Sequence, residues 1–260
     1  MTPEFLKQCA EKSVEAAGAA SRVLLNDLVS SNEGLNIKAK QDGSLVSDAD
    51  LSSQQVISRI LDPLGIPMIS EEAAMTPYEE RRSWPYFWLI DPLDGTESFL
   101  SNRSGFAVNI ALCDATGPII GVVADPLGNI IYQGVLGSGV KVCQLDGSCS
   151  LFVNPRPVRK PYHLLTSWAE RADLEDLVPP GINISDVVSR PASGALKFCE
   201  LAMGEAEIHA RTGPYMEWDC AAGDGILRAM GVDVIDRNTG SRIQYNSEDL
   251  WVRGLYASRV

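Results

Sequence analysis

Hydrophobic and polar positions along the chain switch between helical and strand-like spacing. Thr2-Pro3-Glu4 opens a helix with Pro at its first position, and Leu6, Val14, Ala17, Leu24 and Leu28 then recur at roughly helical intervals. Residues 32–47, which include Lys38, Lys40 and Asp42, predict a loop with a short strand. A second helix is predicted over about 49–61, ended by Asp62-Pro63. Apolar runs at 66–69 and 86–90 read as short strands. Four more runs, at 105–113, 118–124, 130–135 and 140–144, are separated by Gly, Pro and Asn turns and predict an antiparallel meander. Asn154-Pro-Arg-Pro157 and Lys160-Pro161 mark the best boundary, which divides 1–155 from 156–260. Beyond it, Ser167-Trp-Ala-Glu170 has the form of a capping box at a helix start. Strand (187–189), helix (195–203), strand (206–210) and helix (218–230) then follow. Periodicity alone gives a mixed α and β fold.

Composition narrows the function. With 260 residues and a 45% hydrophobic fraction, the chain can bury a large core, as one domain or two packed lobes. Its net charge of −12 excludes a general basic surface for nucleic acid. An anionic partner must be attracted locally. No signal-peptide pattern opens the chain, and no apolar run approaches the ~20 residues of a membrane span, so a cytoplasmic protein is expected. Cys9, Cys113, Cys143, Cys149, Cys199 and Cys220 form no C-x-x-C pair and read as buried free thiols. The two histidines, His163 and His209, are too few for a His-rich zinc centre and argue against a Ser-His-Asp triad. Both are expected to serve structure, with a lesser claim on substrate for His209. Oligomeric state, monomer or homodimer, is not legible.

Chemistry concentrates in Asp91-Pro92-Leu93-Asp94-Gly95-Thr96. Pro92 is expected to stop the strand ladder, Gly95 to permit a sharp turn and Thr96 to open a helix whose N–H groups face an anion. Packed carboxylates repel unless a cation neutralises them, and hard oxygen donors suit magnesium. Alone, an Asp-Gly turn would mean little. Two further segments change that: Glu71-Glu72 after the first short strand, and Asp219 at the start of the small-residue helix that follows Trp218.

In combination, Glu71-Glu72, Asp91-Pro-Leu-Asp94-Gly-Thr96 and Trp218-Asp219-x-Ala-Ala-Gly223 resemble the signature of the inositol monophosphatase superfamily of magnesium-dependent phosphatases. Within it, four segments resemble the CysQ-type 3′(2′),5′-bisphosphate nucleotidases. They are Asp42-Gly-Ser-Leu-Val-Ser-Asp-Ala-Asp50, Phe106-Ala-Val-Asn-Ile-Ala-Leu112, Leu196-Lys-Phe-Cys199 and Gly213-Pro-Tyr-Met-Glu-Trp-Asp219.

The resemblance implies a five-layered α-β-α-β-α sandwich, like that of the inositol monophosphatases and fructose-1,6-bisphosphatases, with the site between two subdomains. It implies two magnesium ions, and a third held mostly by water near Glu71. Glu71, Asp91 and the Leu93 carbonyl would hold the first ion. Asp91, Asp94 and Asp219 would hold the second. Asp50 and Thr96 would orient the attacking water, and the N–H groups of Gly95 and Thr96 would hold phosphate. Glu72 is left to an outer or solvated role. Ser193, Lys197 and Arg211 are the candidate substrate contacts. Arg211 falls where inositol-hydrolysing relatives carry an acid, and it suits a second phosphate. The implied substrate is adenosine 3′,5′-bisphosphate, cleaved to AMP and phosphate. The alternative is an inositol monophosphatase or broad sugar-phosphate phosphatase on the same scaffold.

Three departures bear on substrate rather than on reaction class. Glu97 replaces a usual lysine, Ser44-Leu-Val-Ser47 replaces Ser-Pro-Val-Thr, and Ala195-Leu-Lys197 replaces Ser-Leu-Lys. An aspartyl-phosphate phosphatase would need its acids two apart, whereas Asp91 and Asp94 are three apart. A binding regulator without turnover is disfavoured because every expected ligand is present.

Overall fold

The computed structural model describes residues 1–30, 37–39, 45–101, 105–152, 155–168 and 170–260. Lys40, Asp42, Gly43 and Ser44 from the expected loop, Asn154 from the expected boundary, and Ala169 lie outside these residues. The chain begins α1 (Pro3–Ser30), β1 (Ile37–Ala39), β2 (Leu45–Ser47), α2 (Asp48–Leu61), β3 (Met68–Ser70), α3 (Tyr78–Arg81), β4 (Tyr86–Asp94) and α4 (Thr96–Ser101). Strands β5 (Ala107–Asp114), β6 (Gly117–Asp125), β7 (Ile130–Val135), β8 (Gly139–Gln144) and β9 (Cys149–Phe152) follow. Then come β10 (Tyr162–Thr166), α5 (Leu174–Leu177), β11 (Val187–Pro191), α6 (Leu196–Met203), β12 (Ile208–Arg211), β13 (Tyr215–Met216) and α7 (Glu217–Arg228). Strands β14 (Val234–Asp236), β15 (Trp251–Val252) and β16 (Leu255–Ser258) complete it.

Thr2 caps α1 by accepting from the Phe5 N–H at 3.2 Å, as the Thr-Pro-Glu start predicts. The meander forms the body of a seven-stranded sheet of order β3-β4-β5-β6-β7-β8-β9, antiparallel except for the β3–β4 pair. A second sheet has the order β11-β10-β12-β16-β14.

The alternation along β4 explains the layering, because successive side chains leave a strand on opposite faces. Trp88 and Ile90 join a core with Ala17, Leu24, Ile57 and Leu61 of α1 and α2. Phe87 and Leu89 join one with Phe198, Leu201, Ala221 and Ile226 of α6 and α7. That second core continues into Val234, Leu255 and Ala257 of the second sheet. The opposite face of this sheet, through Leu164, Ile208 and Ala210, packs on Leu177 and the short α5. The order is therefore helix, sheet, helix, sheet, helix, the five-layered sandwich. No helix among the described residues is long and apolar enough to cross a membrane.

Helix α7 sits close against the first sheet because glycines floor its seat. A Cβ on Gly121 would lie 2.1 Å from the Ala222 carbonyl oxygen and 2.8 Å from the Ile226 nitrogen.

Three expectations are corrected. Among the described residues, Ser167, Trp168 and Glu170 are not helical, and the Glu170 carboxylate is drawn to Thr212 instead of closing a capping box. Pro92 does not stop its strand. β4 runs on to Asp94 through a bulge, where a missing N–H costs no ladder bond. Cys143 and Cys149 are not free thiols. They face each other across the β8–β9 pair and form a disulfide, which spacing could not show while β9 was unrecognised. Cys9, Cys113, Cys199 and Cys220 are free and buried as expected.

Candidate active site

The bulge in β4 builds the centre of the site. Asp91 pairs with Asn109, and Asp94 with Ala107, so three steps on one strand match two on its neighbour. In a regular strand, residues three apart point to opposite faces. The extra residue cancels that reversal, and Asp91 and Asp94 line the same cleft. The Asp91 carboxylate accepts from the Leu93 N–H at 3.0 Å. Gly95 follows at φ 88°, a conformation favouring glycine, and α4 begins at Thr96.

Two other elements bring acids to this turn. Glu71 extends β3, its N–H donating to the Ile90 carbonyl at 3.2 Å. Asp219 lies in the first turn of α7 and accepts from the Met216 N–H at 2.9 Å. Carboxylate oxygens of Glu71, Asp91 and Asp219 all lie within 4.8 Å of one another. Burial first, then Glu71, Asp94 and Asp219, push the Asp91 carboxyl well above its ordinary range. Burial and Asp94 push Asp219 up to about 8. Such a cluster of like charges in a dry setting fits a bound cation, and its all-oxygen donor set fits magnesium or a similar hard ion.

Asp94 stands beside this trio rather than in it. Its Oδ2 accepts from the Ala195 N–H at 2.5 Å and from Asn109 Nδ2 at 3.4 Å. Burial raises its pKa, opposed by the Ala195 bond, Lys197, Asn109 and Arg211. The Thr96 hydroxyl lies 3.0 Å from Asp50 Oδ1 and 3.3 Å from the Leu93 carbonyl. It has one proton, and the shorter contact to a carboxylate takes it. Asp50, almost fully buried on α2, is thus bonded to Thr96 as expected. Glu72 is half-buried at the end of β3.

The opposite wall carries the positive charge. Lys197 is not solvated. It is 2% exposed, its Nζ donates to the Ala192 carbonyl at 3.3 Å, and burial lowers its pKa to about 8 against the pull of Asp94. The Arg211 guanidinium lies 4.1 Å from the centroid of the Tyr215 ring. Ser193 lines the same cleft and packs on Gly105, where a Cβ would come within 2.4 Å of its hydroxyl. The cleft has a volume of about 710 Å³, and Gly95, Glu97 and Trp168 also line it.

Neither histidine reaches this space. His209 is fully buried, with Nδ1 3.0 Å from the Leu165 carbonyl, and its pKa is lowered to about 3, chiefly by burial. His163 lies 3.5 Å from Glu207. Sequence reasoning missed Asn109, Tyr215 and Trp168. Tyr215 sits inside the quoted Gly213–Asp219 segment, so its place beside Arg211 was the available signal.

A sheet-bounded cleft lined by clustered acids on one wall, and by buried Lys197 and half-buried Arg211 on the other, defines the class. The model of the inositol monophosphatase family matches residues 5–258, and the chain belongs to that family. More narrowly, it is 33% identical over 205 residues to the 3′(2′),5′-bisphosphate nucleotidase CysQ of Escherichia coli K12, a match covering 78% of this chain and 80% of that one. Its fold is similar to the crystal structure of CysQ from Bacteroides thetaiotaomicron, with a TM-score of 0.78, 27% identity, and 96% and 97% of the two chains covered. It also shares its fold, at 16% identity, with an IMPase/NADP phosphatase complexed with Mg2+ and phosphate, with a TM-score of 0.70 and coverage of 90% and 85%.

Proposed function

We propose that this chain is a magnesium-dependent phosphomonoesterase that removes the 3′-phosphate of adenosine 3′,5′-bisphosphate, giving AMP and phosphate. The observation that carries the reading is the pairing of Lys197 and Arg211 with the acid cluster across one cleft. An ester with a single phosphate needs one centre of positive charge. A bisphosphate needs two, and a planar guanidinium suits the second. The similarity to CysQ nucleotidases points the same way.

Glu71, Asp91 and Asp219, with Asp94 and the Leu93 carbonyl beside them, would hold two to three magnesium ions. Bound there, magnesium would neutralise phosphoryl charge and favour departure of the 3′-oxygen. Asp50 takes the Thr96 proton in a hydrogen bond, which leaves Thr96 Oγ1 to accept from the attacking water and aim it at phosphorus. The N–H groups of Gly95 and Thr96, at the head of α4, would steady the phosphoryl oxygens. Ser193 would contact the substrate from the wall opposite. The ligands divide between subdomains 1–155 and 156–260, and the reading places the enzyme in the cytoplasm.

Glu97 on the cleft wall favours a second reading, since an acid accepts from sugar or inositol hydroxyls. Phosphate release with magnesium, at equal low concentrations of adenosine 3′,5′-bisphosphate and inositol 1-phosphate, decides between them. Preference for the nucleotide is expected. Preference for inositol 1-phosphate would overturn the role given to Arg211.

A further inference from the structure

We infer that Trp168 is a specificity-determining residue, the platform on which the aromatic base of a nucleotide substrate stacks. The inference deepens the nucleotidase reading and rests on it. Trp168 is 69% exposed, although a large apolar ring is normally driven out of water. A single exposed aromatic needs no explanation by itself. This one lines the cleft that holds the acid cluster, Lys197 and Arg211.

Its backbone is also held in place. The Arg171 guanidinium donates to the Trp168 carbonyl at 3.2 Å. Two residues on, the Glu170 carboxylate accepts from the Thr212 N–H at 3.0 Å and the Thr212 hydroxyl at 2.8 Å, and from the N–H groups of Arg171 and Ala172. Burial would raise the Glu170 carboxyl, but these bonds hold it down at about 2, so the brace is charged at every working pH. Thr212 directly follows Arg211. The segment bearing the exposed ring is therefore tied to the segment bearing the guanidinium proposed for the second phosphate. A ligand with a phosphate near Arg211 and a planar ring on the same side meets both. A sugar or inositol phosphate, with no aromatic face, gains nothing from Trp168.

Base–aromatic stacking of ordinary strength corresponds to roughly a 5- to 150-fold change in affinity. The test uses the full chain with magnesium. Steady-state kinetics of wild type, Trp168→Ala and Trp168→Phe are measured on adenosine 3′,5′-bisphosphate and on glycerol 2-phosphate. Tryptophan fluorescence is followed during titration with AMP. In Trp168→Ala, the kcat/KM ratio of nucleotide to glycerol 2-phosphate should fall roughly 5- to 150-fold through KM. Trp168→Phe should recover most of it, and AMP quenching should be lost in both variants. An unchanged ratio in Trp168→Ala, with wild type still cleaving the nucleotide, overturns the inference and leaves the nucleotidase reading intact. Equal losses on both substrates also overturn it, in favour of a structural role. Wild type that neither cleaves the nucleotide nor is quenched by AMP overturns both.

Discussion

At the scale of single residues, the site is a set of side chains with strongly unequal settings. Asp94 holds a backbone N–H with the same carboxylate assigned to the cation, so Asp94→Asn is expected to abolish nearly all turnover while the circular dichroism spectrum stays native. Thr96→Ala should lower kcat by ~10²-fold, the scale of a misplaced reactant, with a smaller change in KM. Turnover near wild type in either variant would sink its assigned role. His209 gives a test of stability alone. Its folded pKa, about 3, lies below the ordinary value of 6.5, so between these limits the unfolded chain binds a proton that the folded chain refuses. Stability from this residue is complete above pH 6.5 and is lost as pH falls toward 3, by ~1.4 kcal/mol per unit at most. In His209→Asn, denaturant melts across that range should show a shallower decline, and an unchanged slope would refute the account.

At the scale of elements, the position of Asp219 depends on how closely α7 approaches the sheet. Gly121→Ala forces its new methyl into the α7 backbone, and a loss of at least ~1–3 kcal/mol is expected, together with reduced kcat because Asp219 rides on the displaced helix. Thermal melts and kinetics would check both. The long helices, the meander and the acids of the site were all legible in the sequence, because they repeat a spacing or stand at a turn. What was hidden depends on contact between distant segments. The bulge that turns Asp91 and Asp94 the same way has no period of its own. β9 has only four residues, and its pairing with β8 is what brings Cys149 to Cys143. The pattern Ser167-Trp-Ala-Glu170 looked like a helix start because a partner at Thr212 cannot be seen locally. Lys197 was named as a substrate contact, but its burial could not be read, because one lysine on a helix reveals nothing about what packs over it.

At the scale of the whole molecule, the acid cluster joins remote parts of the chain. Glu71 and Asp91 come from the first sheet, and Asp219 from a helix more than a hundred positions later. A cation that binds only the folded arrangement stabilises it by mass action, ~2.7 kcal/mol at a hundred times its dissociation constant. Magnesium should therefore raise Tm over a chelator-treated sample, and Asp91→Asn should shrink that increment. An identical Tm with and without magnesium would contradict a cation at this position. The central helix layer has a further consequence. One continuous core joins Phe87 and Leu89 of the first sheet to Leu255 and Ala257 of the second, through α6 and α7. All strands of the first sheet end by residue 152, and those of the second begin at 162. A gene divided between those points would yield two polypeptides that each bare half of a shared interior. Neither should dissolve well when made separately, yet mixing them in the same cell should restore the enzyme, a ready-made split reporter for bringing two fused partners together.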